Sequence, residues 1–300
     1  MTESEDITLA GLHRQAVRPA VFRAGRFTFP LQQRTYIMGI LNVTPDSFSD
    51  GGKYFDLDQA VYHAENMLQS GADIIDIGGE STRPGFSPIS TAEELQRVIP
   101  VVEKLTRTFN CPISIDTSKP EVADAALAAG ACVVNDINGL QKHSELATII
   151  ARYAAGAVLM HNARIYRSEI SESDIMSDVR AFLRESFRIA LDAGLQPGQL
   201  MIDPGIGFGV TPQDSISMIA RLCELNELGL PILLGPSRKK FIGQIIGPSS
   251  DRLYGTIASV VIGIMNGADF VRVHDVREIT EAVKVADAIH RAMPHSGVTN

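Results

Sequence analysis

The stretch "QSGADIIDIG", residues 69–78, decides the fold. Its glycine, Gly71, follows a segment with apolar residues at helical spacing, and glycine commonly closes a helix because it adopts a left-handed backbone without strain. The run "DIIDIG" (73–78) comes next and shows no alternation of polar and apolar residues, which is typical of a parallel strand covered on both faces. The stretch therefore predicts the end of a helix followed by a buried parallel strand.

The same junction recurs along the chain. Apolar runs of strand length occur at eight places, namely "YIMGILN" (36–42), "DIIDIG" (73–78), "PISID" (112–116), "CVVND" (132–136), "AVLMH" (157–161), "LMIDPG" (200–205), "PILLG" (231–235) and "FVRVH" (270–274). Helical patterns lie between and after them, at roughly 57–70, 91–108, 119–129, 142–154, 172–194, 212–226, 238–246 with 251–267, and 276–292. Eight such units predict a single-domain α/β fold, the (β/α)8 or TIM barrel. A doubly wound open sheet is the alternative, but no GxGxxG follows the first strand.

The ends of the chain and its composition complete this prediction. Residues 19–293 are expected to form the barrel, with flexible tails at 1–18 and 294–300, and "VFRAGRFTFPL" (21–31) predicts a hairpin that closes the barrel floor. The three scattered cysteines, with no metal-ligand spacing, are expected to fill the core.

The bulk properties narrow the class of protein. A net charge of −8 argues against a general nucleic-acid binder. No run approaches the roughly 18 apolar residues of a membrane span, and the acidic N-terminus lacks the apolar region of a signal peptide. We therefore expect a cytoplasmic protein that acts on small molecules, without nucleic-acid or membrane partners.

Polar residues cluster where the predicted strands end. In a TIM barrel these ends converge on one mouth, where functional residues lie. The candidates are Asn42, Asp76, Asp116, Asn135, Asp136, His161, Asp203, Ser237, Arg238, Lys239, Arg272 and His274. A helix cap or a turn is an alternative explanation for single aspartates, and for Asp76 and Asp136 in particular.

The chemistry of this ring predicts two subsites. Buried carboxylates such as Asp116 and Asp203 need matched donors, so together with Asn135 and Lys239 they suit a planar heterocycle with donor and acceptor edges. Arg272 and His274 occupy alternate positions of the last strand and predict an anion site, for which phosphate or pyrophosphate is the natural ligand. The glycines of "DPGIGFG" (203–209) would let the backbone approach a ligand, although tight turns use them too. Met160 and Phe208 are candidates for contacts to a flat ring, and core packing explains Met160 equally well.

Seven stretches of the chain, in order, resemble the dihydropteroate synthase family of pterin-binding TIM barrels. They are "GILNVTPDSFSDGG", "DIIDIGGESTRPG", "ISIDT", "NDINGL", "MIDPGIGFG", "SRKKFIG" and "RVHDV". The resemblance covers residues 20 to 293, and its first two motifs are highly specific within the wider group of pterin-binding barrels. That group also contains methyltetrahydrofolate-dependent methyltransferases.

The resemblance implies a transferase of folate biosynthesis. The family joins 7,8-dihydropterin-6-ylmethyl diphosphate to p-aminobenzoate, forming 7,8-dihydropteroate and releasing pyrophosphate, and Mg²⁺ is the implied cofactor. A dissociative substitution at the pterin methylene fits the residues of the mouth. The alternatives are a pterin-binding paralogue without synthase activity and a methyltransferase that uses methyltetrahydrofolate.

The resemblance also implies roles for individual residues. The pterin set is Asp116, Asn135, Ile137, Met160, Asp203, Gly207, Phe208 and Lys239. The diphosphate set is Asn42, Arg272 and His274, with Asn42 also the metal ligand. The p-aminobenzoate set is Phe48, Thr82, Arg83, Pro84 and Lys240, on or near two loops expected to close over the site. The catalytic set is Asp46, as the group that stabilises the methylene cation, together with Asn42, Lys239, Arg272 and His274.

Three stretches depart from the common family pattern. Val210 replaces a lysine, "NARIYRSE" (162–169) replaces Arg-Gly-Thr-Pro, and Lys240 replaces a serine in the region that contacts p-aminobenzoate and sulfonamide inhibitors.

The resemblance also implies an oligomeric state. The family commonly forms homodimers through helices late in the barrel, so a homodimer is expected. The apolar stretch 255–267 fits such an interface, and a buried barrel helix explains it equally well.

Overall fold

The protein is described by a computed structural model that covers residues 18–43, 53–80, 88–166 and 174–293. Its strands are β1 (Val21–Ala24), β2 (Phe27–Pro30), β3 (Tyr36–Asn42), β4 (Ile74–Gly78), β5 (Ile113–Asp116), β6 (Val133–Asp136), β7 (Gly156–Met160), β8 (Leu200–Asp203), β9 (Leu233–Leu234) and β10 (Phe270–Val273). Its helices are α1 (Lys53–Gln69), α2 (Thr91–Thr108), α3 (Pro120–Ala128), α4 (Glu145–Arg152), α5 (Ala163–Tyr166), α6 (Ile175–Asp192), α7 (Pro212–Ala220), α8 (Lys240–Ile246), α9 (Leu253–Met265) and α10 (Val276–Ala292).

Eight of the strands form one parallel sheet in the order β8-β7-β6-β5-β4-β3-β10-β9. A parallel bridge between Ile202 and Ile232 joins the two outer strands and closes the sheet into a barrel. Helices follow the strands around its outside, so the (β/α)8 prediction is confirmed. The expected tails lie almost wholly in 1–17 and 294–300, outside the described residues.

Side-chain capping marks the start of α7, and three elements differ from the predicted pattern. The hydroxyl of Thr211, which precedes α7, accepts a hydrogen bond from the backbone N–H of Asp214, and the carboxylate of Asp214 accepts one from the backbone N–H of Thr211. The segment predicted as one helix over 212–226 is α7 followed by a 3-10 helix, Leu222–Leu228. The short helix α5 was not predicted, and β9 is shorter than the run 231–235.

The hairpin of β1 and β2 closes the barrel floor, as predicted. The strands pair antiparallel, and Phe22 and Phe29 pack against Phe270, with ring centroids 5.6 and 5.7 Å away. Tyr36 stacks on the same Phe270 ring at 5.1 Å. These aromatic rings belong to a cluster inside the barrel that is separate from the core between strands and helices.

The inner face of the barrel changes from apolar at the floor to polar at the mouth. On β4 the inward residue Ile74 is followed two positions later by Asp76, and on β10 Phe270 is followed by Arg272. Side chains alternate along a strand, so both polar residues point into the barrel above the aromatic cluster. This change in polarity places the candidate site at the carboxyl ends of the strands.

Two predictions from composition have different outcomes. Cys132 is buried and Cys111 is half-buried, but Cys223 is exposed, so the prediction that all three fill the core is wrong for Cys223. No helix within the four described ranges has the length and apolarity needed to cross a membrane.

Candidate active site

Arg272 joins two carboxylates inside the barrel mouth. Its Nε donates to Asp76 Oδ2 at 2.6 Å, and its Nη2 donates to Asp116 Oδ2 at 2.5 Å. Asp76 is fully buried, and its Oδ2 also accepts from Asn135 Nδ2 at 3.2 Å. A cap or a turn is therefore the wrong explanation for Asp76, whose partners lie on distant strands. Burial of such a carboxylate is tolerated because a guanidinium pairs with it.

Asp136 does serve a local turn. It accepts hydrogen bonds from Ser118 Oγ at 2.5 Å and from the backbone N–H groups of Asn138 and Leu140 at 2.9 and 2.7 Å. Burial raises the pKa of Asp136, and these donors oppose the rise. These hydrogen bonds to the carboxylate stabilise the loop after β6.

A cavity opens at the carboxyl ends of the strands beside Arg272. It is lined by Asp116, Asn135, Ile137, Met160, Asp203, Ile206, Phe208, Gly235, Lys239 and Arg272. Seven of the eight residues of the predicted pterin set are among them. The eighth, Gly207, lies beside the cavity at a φ of 78°, where an added β-carbon would be 3.4 Å from Lys239 Cδ. Ile206 and Gly235 were not predicted.

The structure brings Arg272 into this cavity, although it was predicted for the diphosphate and catalytic sets and not for the pterin set. A β-carbon on Gly235 would lie 3.7 Å from Asp203 Oδ2 and 3.9 Å from Arg272 Cβ, so the glycine leaves space between these two side chains. Arg272 therefore borders both predicted subsites, and its guanidinium is part of the electrostatics of the heterocycle site.

Desolvation dominates the electrostatics of the cavity. Burial raises the pKa of Asp116, and the positive charge of Arg272 opposes that rise. Burial also raises the pKa of Asp203, against the hydrogen bond that its Oδ1 accepts from Gly205 N at 2.7 Å. Burial and the charge of Arg272 lower the pKa of Lys239. Carboxylates and cations held away from water gain strongly from a ligand with matching donors and acceptors.

Phe208 forms a flat apolar wall beside these charges. Lys239 Nζ lies 4.1 Å from its ring centroid, and Arg164 Cζ lies 5.6 Å from it. The backbone carbonyl of Phe208 accepts from Ala163 N at 3.2 Å, which ties the loop after β8 to α5. Both cations lie within about 6 Å of the ring centroid, the range of cation–π contacts.

The remaining predicted residues of the mouth lie around this cavity. Asn42 ends β3, and a β-carbon on Gly78 would be 3.7 Å from its Oδ1 and 3.8 Å from Asp116 Oδ2. His274 contacts Ser237, with 2.9 Å between Nδ1 and Oγ. Lys240 is exposed at the start of α8 and does not line the cavity.

The donor set at the mouth fits Mg²⁺ in one particular mode. No group of three or more His, Cys, Asp or Glu side chains able to hold a metal occurs within 18–43, 53–80, 88–166 and 174–293. Mg²⁺ usually binds through one or two protein oxygens, with waters and substrate phosphates completing its shell. The amide oxygen of Asn42, which lies across Gly78 from Asp116 Oδ2, fits that mode.

Five predicted residues cannot be placed in this geometry. They are Asp46, Phe48, Thr82, Arg83 and Pro84, all of which lie outside the described residues. Their roles stay predictions.

Comparisons with known proteins agree with a barrel that holds a heterocycle at its mouth. A family model described as "Pterin binding enzyme" matches residues 38–274. A dihydropteroate synthase of Clostridium beijerinckii is 48% identical over 90% of this chain and 99% of its own length.

Solved structures give the same result. The crystal structure of a Clostridium difficile dihydropteroate synthase in the presence of pteroic acid has a TM-score of 0.84 at 49% identity, covering 88% of this chain and 99% of that one. The Xanthomonas albilineans dihydropteroate synthase in complex with 7,8-dihydropteroate has a TM-score of 0.82 at 38% identity, covering 91% of this chain and all of that one. The fold and the site define the class as the pterin-binding TIM barrels. Within that class, the chain belongs to the dihydropteroate synthase family.

Proposed function

We propose that this chain condenses 7,8-dihydropterin-6-ylmethyl diphosphate with p-aminobenzoate to give 7,8-dihydropteroate and pyrophosphate. The observation that carries this function is the cavity in which Asp116, Asn135, Asp203 and Lys239 converge beside the flat ring of Phe208. Family membership over nearly the whole barrel supports the same activity.

The cavity suits the two edges of a pterin. The amino and ring N–H groups of a pterin donate hydrogen bonds, so buried carboxylates such as Asp203 and Asp116 are suitable acceptors. Its carbonyl and ring nitrogens accept, which suits the ammonium of Lys239 and the amide of Asn135. The ring would lie against Phe208 and Met160, with Ile137 and Gly207 completing the contacts.

The diphosphate is assigned to Asn42, Arg272 and His274. The guanidinium of Arg272 has five N–H donors, and its contacts with Asp76 and Asp116 use two of them. The other donors can bind a phosphate oxygen while Arg272 stays paired with both carboxylates. Mg²⁺ held by Asn42 and the diphosphate would neutralise negative charge on the leaving group.

The assigned residues support a dissociative substitution. The bond between the pterin methylene and the diphosphate oxygen breaks first, and Arg272, His274 and Lys239 stabilise the departing anion. Asp46 is assigned to the methylene cation, and the amine of p-aminobenzoate then attacks that carbon and loses a proton. The arylamine is assigned to Phe48, Thr82, Arg83, Pro84 and Lys240, where sulfonamide inhibitors are expected to compete.

Two further expectations, on localisation and on assembly, belong to the same proposal. We assign the protein to the cytoplasm, and we propose a homodimer through α9 and α10. One face of α9 packs on the barrel through Val260 and Ile264, whereas Ile262 on its other face is 49% exposed. On α10, Val285 and Ile289 are 61% and 53% exposed. Apolar residues exposed on adjacent helices are typical of a protein interface.

The direct test is product formation by the purified protein. Incubation with the pterin diphosphate, p-aminobenzoate and Mg²⁺ should yield dihydropteroate and an equal amount of pyrophosphate, and omission of p-aminobenzoate should abolish dihydropteroate. A sulfonamide titration in the same assay tests the arylamine subsite and the exposed Lys240. Pterin binding without turnover would instead identify a paralogue that has lost the synthase activity.

A further inference from the structure

Ser237 makes a double contact with His274 at the barrel mouth. The serine is 6% exposed, and its Oγ accepts a hydrogen bond from the backbone N–H of His274 at 3.2 Å. The same Oγ lies 2.9 Å from Nδ1 of the His274 ring. One hydroxyl therefore contacts both the backbone and the imidazole of a residue assigned to the diphosphate.

This geometry is compatible with a ring that carries its hydrogen on Nε2. A serine hydroxyl has one hydrogen, and the backbone N–H of His274 already occupies one acceptor position of Oγ. The hydroxyl hydrogen can then be directed at Nδ1, which in a neutral imidazole makes Nδ1 the acceptor and Nε2 the protonated nitrogen. The hydrogen bond on one ring nitrogen thus selects the tautomer that the other presents.

We propose that Ser237 is a positioning residue that holds His274 as the Nε2–H tautomer, so that the ring presents a donor to the substrate diphosphate. The proposal rests on the function proposed above, because it needs an anion at this subsite. The opposite tautomer would present the Nε2 lone pair to phosphate oxygens, which accept hydrogen bonds and repel a lone pair.

A second contact holds the two strand ends in register for this bond. Arg238, the residue after Ser237, has a φ of 55°, a left-handed conformation that is uncommon for a residue with a side chain. Its guanidinium donates twice to Asp275, the residue after His274, at 2.8 Å each. Its backbone N–H donates to Thr256 Oγ1 at 3.0 Å.

At the turn around Arg238, three successive side chains have different partners. The side chain of Arg238 reaches Asp275 at the outer rim, Ser237 contacts His274, and Lys239 lines the cavity. The bidentate pair between Arg238 and Asp275 thereby keeps Ser237 Oγ within reach of the His274 ring.

The test combines a tautomer measurement with binding. Nitrogen-15 NMR of labelled full-length protein reads the protonation of both ring nitrogens, with the His274 signals assigned by His274→Gln. The variants are Ser237→Ala, which removes the hydroxyl, and Ser237→Thr, which keeps it. Ser215→Ala is the matched control, because Ser215 is also buried but its hydroxyl donates to the backbone carbonyl of Thr211 at the start of α7, away from the anion subsite.

The wild type, Ser237→Thr and Ser215→Ala should show Nε2–H at His274, and Ser237→Ala should lose that preference. Pyrophosphate affinity should fall about tenfold in Ser237→Ala, the size expected for one hydrogen bond, with smaller changes in the other two variants. Affinity for a pterin without the diphosphate should stay within about twofold in all of them, since only a bond at the anion subsite is changed.

The outcomes separate this proposal from the proposed function. Protonated Nδ1 in the wild type, or an unchanged tautomer in Ser237→Ala, overturns the role of Ser237 whether or not the protein makes dihydropteroate. A tautomer change without loss of pyrophosphate affinity overturns the link between His274 and the anion. Absence of product from wild-type protein with the expected tautomer contradicts the proposed function alone.

Discussion

Asp203 is the residue on which recognition of the pterin depends most directly. It ends β8, it is 5% exposed, and the backbone N–H of Gly205 already donates a hydrogen bond to one of its carboxylate oxygens. A buried carboxylate in this state gains two hydrogen bonds from a heterocycle with adjacent N–H donors, and little water competes for it.

Asp203→Asn should therefore weaken pterin binding by about 10- to 100-fold, the range of a hydrogen bond to a charged group. The amide keeps the shape of the side chain but offers only one acceptor atom. Calorimetric titration with a pterin lacking the diphosphate measures the effect, and Asp192→Asn on the exposed face of α6 is the control. Equal affinities in the wild type and Asp203→Asn would refute the contact.

Arg272→Ala should weaken the binding of both the pterin diphosphate and the pterin without it, the former more. Removal of the guanidinium leaves Asp76 and Asp116 unpaired in a buried space, which raises the pKa of Asp116 further and removes an ionised acceptor from the pterin. Competition binding with the two ligands measures both losses. A pterin affinity that is unaffected would show that Arg272 acts on the diphosphate alone.

Pterin affinity should have a maximum between mildly acidic and mildly alkaline pH. Burial raises the pKa values of Asp116 and Asp203, so affinity should rise with pH as they lose the proton that blocks acceptance. Burial lowers the pKa of Lys239, so affinity should fall again when its ammonium deprotonates. Titrations across this range in Asp203→Asn should lose part of the acidic limb, and an identical limb would contradict the assignment.

At the scale of elements, the β1–β2 hairpin stabilises the barrel from the end opposite to the site. Phe22 is fully buried against Phe29 and Phe270 at the floor. Phe22→Ala should lower the free energy of unfolding by about 3–5 kcal/mol, because it leaves a cavity in a packed aromatic cluster.

Denaturant unfolding measures that loss, and the Michaelis constants for both substrates should stay near those of the wild type below the transition. Phe27 of the same hairpin is only half-buried, so Phe27→Ala should cost less. Changed Michaelis constants in folded Phe22→Ala would show that the floor and the mouth are coupled.

The rule that functional residues follow the barrel strands predicted most of the candidate site. It missed contacts between residues that are far apart in the sequence. Asp116, Asn135, Asp203 and Lys239 were found because each follows an apolar run, and the fold brings such ends together. Asp76 lies inside its run, two residues before Gly78, where a turn or cap explains an aspartate as well. Its partner Arg272 is 196 residues away, a contact that only the closed barrel creates.

Local backbone conformation limits prediction in a second way. The sequence placed Arg238 in the same ring of polar residues as Lys239. The left-handed φ of Arg238 instead turns its side chain to Asp275. Such a conformation is uncommon for arginine, so the amino-acid sequence does not predict it.

At the scale of the whole molecule, the apolar residues exposed on α9 and α10 lead to a prediction about assembly. A charge in the centre of a dimer interface is costly because it loses its hydration. Val285→Asp should therefore shift the protein from dimer to monomer by light scattering, whereas Glu281→Asp on the same helix should leave the mass unchanged. A wild-type monomer at all concentrations would contradict the interface.

The cavity at the strand ends is assigned to the pterin, and a crystal structure with bound 7,8-dihydropteroate is the sharpest test of that assignment. We expect the N–H edge of the pterin within hydrogen-bond distance of Asp203 and Asp116, with its ring against Phe208 and Lys239 at the accepting edge. A pterin bound elsewhere, or one whose donor edge points away from both carboxylates, would contradict it.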